Sequence, residues 1–154
     1  MRIAFDLDNT LIPCGELTFP IEPPAPAPLC PLTRLLICSG LRQGARHLLR
    51  ELRRQGHEIW IYTTSQRSPT QLHTLFLLQG VPLGGVVNCY RHEDLVRSGG
   101  CPNCSKYPPA FGIDLLVDDA DGVALEGIQH GFEVLVVSPT DPEWTRRVMN
   151  VVCC

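Results

Sequence analysis

The chain has 154 residues, of which 44% are hydrophobic and 19% are charged, and this is the size and composition of one globular domain. No uninterrupted apolar run exceeds four residues, whereas a membrane-spanning helix needs about 18 or more. The net charge of −3 gives no positive field that would favour nucleic acid or an acidic membrane as a partner.

The first ten residues contain Asp6 and Asp8, where a signal peptide would need an apolar stretch. We therefore expect a cytoplasmic, reducing location. In such a compartment the 8 cysteines indicate metal ligands, catalysis or core packing, and we expect no structural disulfides.

The N-terminal half of the chain predicts a strand, a flap and a helix. Alternating apolar residues over 3–7 favour a short strand that ends in an acidic cluster. Residues 12–40 are predicted to form a proline-rich flap, because Pro is frequent from position 20 to position 31 and favours extended chain. Apolar residues at helical spacing over 41–52, followed by Gly56, predict the first helix.

Strands and helices then alternate to the end of the chain. A strand over 57–63 precedes a helix that Ser68 and Gln71 open as a capping box. The remaining predicted elements are a strand at 86–88, a Cys/His loop at 89–105, a strand at 113–117, a helix ending at 130–131, a strand at 134–137 and a helix opened by 140–143. This order predicts an α/β fold, a Rossmann-like parallel sheet with helices on both faces, in one domain spanning 1–154.

Three of the predicted strands end in polar side chains. Asp6 and Asp8 follow the first strand, Thr63 ends the second, and Asp118 and Asp119 follow a later one. Because the carboxyl ends of parallel strands share one edge of the sheet, we expect these groups to be neighbours. Clustered carboxylates are costly without a cation, and their oxygens suit Mg²⁺. The alternative is that the aspartates cap the following helices.

The sequence resembles the haloacid dehalogenase (HAD) superfamily of phosphohydrolases. The segment Phe5–Leu11, FDLDNTL, resembles its first signature, 61–63 the second, and 115–119 the paired-acid form of the fourth, while Lys106 stands where the third expects a basic residue. The resemblance covers nearly the whole chain. It implies a HAD-like domain, and the intervals that hold large caps in other members here contain only the flap and the Cys/His loop.

The resemblance also implies catalytic roles. Asp6 would be the nucleophile that forms an aspartyl phosphate, and Asp8 would act as general acid and then general base. Thr63 and Lys106 would hold the phosphoryl oxygens, and Thr10 would support the turn of the first signature.

The same resemblance implies a Mg²⁺ site. The ion would lie between Asp6, the backbone carbonyl of Asp8 and a carboxylate of the fourth signature. We favour Asp119 as that ligand because it is the second acid of the pair, and Asp118 is the alternative.

A second group of potential ligands lies in the Cys/His loop. Cys89 and His92 form one pair and Cys101 and Cys104 another, each with two intervening residues. This pattern predicts a structural Zn²⁺ site, and it resembles the zinc loop of the heptose-bisphosphate and histidinol-phosphate phosphatase branch of the superfamily. The alternative is that these are unrelated cysteines in a Cys-rich chain.

We expect a Mg²⁺-dependent phosphatase that hydrolyses a phosphomonoester. Its partner would be a phosphorylated small molecule or macromolecule, and an open site favours a bulky one. A small sugar phosphate is suggested only by the zinc-loop analogy. The alternative function is a zinc-stapled, non-catalytic binding or regulatory module of the same fold.

Overall fold

The sheet has five strands, all parallel. The computed structural model describes residues 1–16, 19–23 and 40–153. The strands are β1 (Arg2–Phe5), β2 (Glu58–Tyr62), β3 (Gly85–Val87), β4 (Leu115–Asp118) and β5 (Val134–Val136). They are arranged in the order β3-β2-β1-β4-β5, with every neighbouring pair parallel. The predicted α/β class and parallel sheet are confirmed.

Helices connect the strands. They are α1 (Ala45–Arg54), α2 (Pro69–Leu78), α3 (Cys89–Arg97), α4 (Asp121–His130) and α5 (Trp144–Val152), with a short 3₁₀ helix at Pro108–Phe111. Within the described residues no helix combines the length and the apolar character needed to cross a bilayer.

The two faces of the sheet carry separate apolar clusters, because successive strand residues point to opposite sides. On one face Ile3 and Phe5 of β1 pack in the cluster that α1, α2 and α5 complete with buried side chains. On the other face Ala4 belongs to the cluster that includes Trp60 of β2 and Val123 of α4. Helices therefore cover both faces, and the carboxyl edge of the sheet is left for polar side chains.

The helix starts follow from local chemistry. Ser68 accepts a hydrogen bond from the backbone N–H of Gln71, whose side chain accepts from the backbone N–H of Ser68, so the predicted capping box of α2 is confirmed. The prediction of a loop over 89–105 is wrong for its first half, which forms α3. The Asn88 side chain accepts a hydrogen bond from the backbone N–H of Arg91 and caps that helix.

Two other predicted boundaries shift. Leu41 is buried in the core but precedes α1, since Gly44 adopts a left-handed conformation with φ 86° directly before the helix. The last helix begins at Trp144, after residues 140–143.

In the predicted flap, the described residues include Ile21, which forms an isolated antiparallel bridge with Arg42. Flap residues 17–18 and 24–39 lie outside the described residues, as does Cys154.

Candidate functional site

The candidate site lies at the carboxyl ends of the three central strands. The parallel register pairs Phe5 of β1 with Ile61 of β2 and Val117 of β4. Asp6 directly follows β1 and its backbone N–H donates to the carbonyl of Val117 at 2.8 Å, while Asp118 is the last residue of β4. The structure thus brings Asp6 and Asp118 side by side, as expected from the shared carboxyl edge of parallel strands.

Lys106 joins these two acids. Its ammonium group donates to Asp6 Oδ1 at 2.5 Å and to Asp118 Oδ2 at 2.7 Å. The side chain of Lys106 is 4% exposed, that of Asp6 9% and that of Asp118 2%, so the three charges form one buried ionic cluster. Lys106 thus lies beside two of the acids that the sequence analysis singled out.

The third acid, Asp119, completes a possible cation site. Ligand oxygens of Asp6, Asp118 and Asp119 all lie within 4.8 Å of one another. Three hard carboxylate oxygens at this spacing fit the ligand preference of Mg²⁺.

Asp118 and Asp119 differ in the hydrogen bonds that their carboxylate oxygens accept. Asp118 accepts from Lys106 with one oxygen and from the backbone N–H of Ala120 with the other. Within the described part of the chain, the Asp119 carboxylate accepts a hydrogen bond from the Thr10 hydroxyl at 3.3 Å, and Asp119 is more exposed than Asp118. Asp119 is therefore the better placed of the two to ligate a cation.

Burial dominates the electrostatics of the cluster. Burial raises the pKa of the Asp6 carboxyl to about 7. The charge of Asp118 also raises this pKa, whereas the Lys106 ammonium lowers it. Burial and the neighbouring Asp118 also raise the pKa of Asp119. For Lys106, burial lowers the pKa, but the Asp6 and Asp118 carboxylates outweigh it and raise the pKa. One ammonium does not fully offset three acids, so a bound cation would favour their ionised forms.

Asp8 stands apart from the three acids and pairs with an arginine that the sequence analysis did not single out. Arg67 Nη1 donates to Asp8 Oδ1 at 2.8 Å, with the two side chains 39% and 26% exposed. Asn9, with a φ of 62°, turns the chain directly after Asp8, and Asn is among the residues that tolerate this left-handed conformation. The available sequence signal for Arg67 was its position four residues after Thr63, in the loop following β2.

Thr63 is buried at the end of β2. Its backbone N–H donates to the Val87 carbonyl at 2.9 Å, and its hydroxyl accepts from the backbone N–H of Ser65 at 3.1 Å. The Ser65 hydroxyl is buried, and it has no hydrogen-bond partner in the described part of the chain. Two hydroxyls are thus available to donate at this end of β2.

The four predicted zinc ligands do not form a compact ligand set. Cys89, His92, Cys101 and Cys104 are all described, yet no three of their ligand atoms lie within 4.8 Å of one another. Burial raises the pKa of the Cys104 thiol to about 11, with a further contribution from the neighbouring Cys101, whereas zinc binds the thiolate. The described cysteines carry free thiols, and zinc binding stays a prediction.

His92 instead connects Tyr62 of β2 with the chain just before Lys106 through hydrogen bonds. Its Nε2 lies 3.1 Å from the carbonyl oxygen of Cys104, to which it must donate, and its Nδ1 lies 2.7 Å from the Tyr62 hydroxyl. The same hydroxyl accepts from the backbone N–H of Tyr107 at 2.9 Å. Both ring nitrogens are engaged, so zinc ligation by His92 would displace one of these hydrogen bonds. Sequence spacing gave no signal for this network.

A scan against models of known protein families finds no match to this chain, and a search of curated proteins likewise finds none.

Proposed function

We propose that the protein is a Mg²⁺-dependent phosphatase of the HAD type that hydrolyses a phosphomonoester through an aspartyl phosphate. The observation that carries the proposal is the group of Asp6, Asp118 and Asp119 around Lys106. It lies at the carboxyl edge of a parallel sheet, where such folds bind ligands. The four-signature resemblance to the HAD superfamily supports the same reaction class.

In the first step an Asp6 carboxylate oxygen attacks the phosphorus atom of the substrate. The bond from phosphorus to the ester oxygen breaks, and Asp8 gives its proton to that leaving oxygen. Asp8 suits this role because it lies two residues beyond Asp6 and is partly exposed, whereas Asp6 is buried. The products are the free alcohol and a phosphoryl group bound covalently to Asp6.

In the second step water attacks the phosphorus atom of the aspartyl phosphate. Asp8, now ionised, accepts a proton from this water. The bond between phosphorus and the Asp6 oxygen breaks, so inorganic phosphate leaves and the Asp6 carboxylate is regenerated.

Positive charge and hydrogen-bond donors must offset the negative charge of the transferring group. Lys106, already in contact with Asp6, supplies a buried ammonium group, and Thr63 supplies a hydroxyl. Asp6, the backbone carbonyl of Asp8 and Asp119 would hold Mg²⁺, with Asp118 engaged mainly by Lys106. When bound, Mg²⁺ supplies the charge that screens Asp6 from the phosphate dianion.

The proposal is tested by hydrolysis of 4-nitrophenyl phosphate with and without Mg²⁺. We expect Mg²⁺-dependent turnover that Asp6→Asn reduces to background and that Asp119→Asn shifts to a higher Mg²⁺ requirement. The matched control is Asp94→Asn, an exposed acid of α3 that pairs with Arg97 and should leave turnover unchanged. Full turnover by Asp6→Asn, or turnover indifferent to Mg²⁺, would contradict the proposal.

Zinc binding is a separate proposal for the segment 89–105, and elemental analysis of the purified protein tests it. We expect one zinc per chain, lost in Cys104→Ser and retained in Cys14→Ser, which changes an exposed cysteine outside the segment. If both variants retained zinc, or if the wild-type protein contained no zinc, the zinc proposal would be refuted and the phosphatase proposal would be unaffected.

A further inference from the structure

The loop that carries Arg67 is held by hydrogen bonds at the candidate site. The backbone carbonyl of Arg67 accepts a hydrogen bond from the Asn88 side chain at 3.1 Å. Within the same loop, Ser65 N–H donates to the Thr63 hydroxyl, and the carbonyl of Ser65 accepts from Cys89 N–H at 3.3 Å. These bonds tie the loop to the ends of β2 and β3, so the base of the Arg67 side chain is fixed relative to Thr63.

The guanidinium group of Arg67 has unused hydrogen-bonding capacity. Arg carries five N–H donors, and among the described residues Arg67 makes a single side-chain hydrogen bond, to Asp8. With 39% of its side chain exposed, it remains accessible to a ligand.

Two other cationic side chains among the described residues near this edge of the sheet, Lys106 and Arg42, are buried. Lys106 is buried between Asp6 and Asp118. Arg42 is buried beneath Phe19 and Trp144, and its Nη2 donates to backbone carbonyls, including that of Ser138 at 2.8 Å. Of these three bases, Arg67 is the one that combines exposure with free donors.

We propose that Arg67 binds an anionic group carried by the leaving group of the substrate. This inference rests on the proposed function, in which Asp8 protonates the ester oxygen. Atoms bonded to that oxygen must lie beside Asp8, and Arg67 contacts Asp8 directly. The favoured substrates are phosphomonoesters with a carboxylate or a second phosphate close to the ester oxygen.

The chemistry of the guanidinium group supports an anion over a neutral acceptor. Its planar donors match the paired oxygens of a carboxylate or phosphate and form charge-assisted hydrogen bonds, which are stronger than neutral ones. A bond of this kind changes affinity by about ten- to a hundredfold. Such a difference is large enough to select substrates.

The test compares two phosphomonoesters that differ by one charge, 2-phosphoglycerate and glycerol 2-phosphate. Steady-state kinetics with Mg²⁺ are measured for wild type, Arg67→Gln, Arg67→Lys and the control Arg97→Gln, an exposed arginine of α3. We expect wild type to prefer the carboxylate substrate in kcat/KM. This preference should fall about ten- to a hundredfold in Arg67→Gln, through KM, partly return in Arg67→Lys and stay unchanged in the control.

An equal loss of kcat/KM for both substrates in Arg67→Gln would overturn the inference, because it would show that Arg67 only positions Asp8. Absence of any preference in wild type would overturn it as well.

A binding measurement separates failure of the inference from failure of the proposed function. Calorimetry with Mg²⁺ compares 3-phosphonopropionate with propylphosphonate, which have no ester bond and differ by a carboxylate. A preference for the carboxylate ligand that is lost in Arg67→Gln would support the anion site even if no phosphomonoester were hydrolysed. The missing hydrolysis would then refute only the phosphatase proposal. No preference, or no binding of either ligand, would refute the anion site.

Discussion

Replacing Lys106 with methionine isolates the contribution of the buried ionic cluster to stability. The substitution keeps a long apolar side chain but removes the ammonium group that contacts Asp6 at 2.5 Å and Asp118 at 2.7 Å. Removing one partner of a buried ion pair typically costs about 3–5 kcal/mol, because the remaining charge is buried without a counterion. We expect a loss of this size in the free energy of unfolding of Lys106→Met without Mg²⁺. A domain of this size would lose at least about 6 °C in Tm.

Urea denaturation in the presence of EDTA, followed by tryptophan fluorescence, measures the loss. The control is Arg97→Met, which breaks an exposed pair with Asp94 and should cost less than about 1 kcal/mol. A loss for Lys106→Met as small as that for Arg97→Met would refute the buried cluster and, with it, the electrostatic description of the site.

Three further changes test the surrounding structure by urea denaturation. Tyr62→Phe leaves the backbone N–H of Tyr107 without its acceptor and should cost about 1–3 kcal/mol; no loss would refute the hydrogen bond. Gly85→Ala would place a Cβ 2.6 Å from the Trp60 ring and should cost about 1–3 kcal/mol through overpacking; unchanged stability would contradict that contact. Ser68→Ala removes the cap of α2 and should cost about 1 kcal/mol; an equal stability would argue against the cap.

Much of the fold follows from local patterns in the sequence. Apolar strands ending in polar clusters predicted β1, β2 and β4, and the hydroxyl of Ser68 predicted the start of α2. The missed helix α3 has no fully buried side chain, so its apolar pattern was too weak to detect. Its start depends on the Asn88 cap, a single hydrogen bond that was missed because Asn88 was assigned to the end of the preceding predicted strand, 86–88.

The candidate site was also predictable from the sequence only in part. The proximity of Asp6, Asp118 and Asp119 was predictable, because parallel strands bring their carboxyl ends to one edge. The Arg67–Asp8 pair was not, since it depends on how the loop after β2 folds back over the sheet edge. The partners of His92 were also hidden, because its contacts with Tyr62 and with the Cys104 carbonyl arise from packing of separate segments.

The most direct test of the proposed phosphatase is chemical trapping of the phosphorylated residue. The protein is incubated with Mg²⁺ and 4-nitrophenyl phosphate, quenched, treated with borohydride to reduce an acyl phosphate to an alcohol, and mapped by peptide mass spectrometry. We expect reduction of the side chain at Asp6, dependent on substrate and Mg²⁺ and absent when Asp6→Asn is used. Turnover with no modification at Asp6, or with modification at another acid, would contradict the proposal.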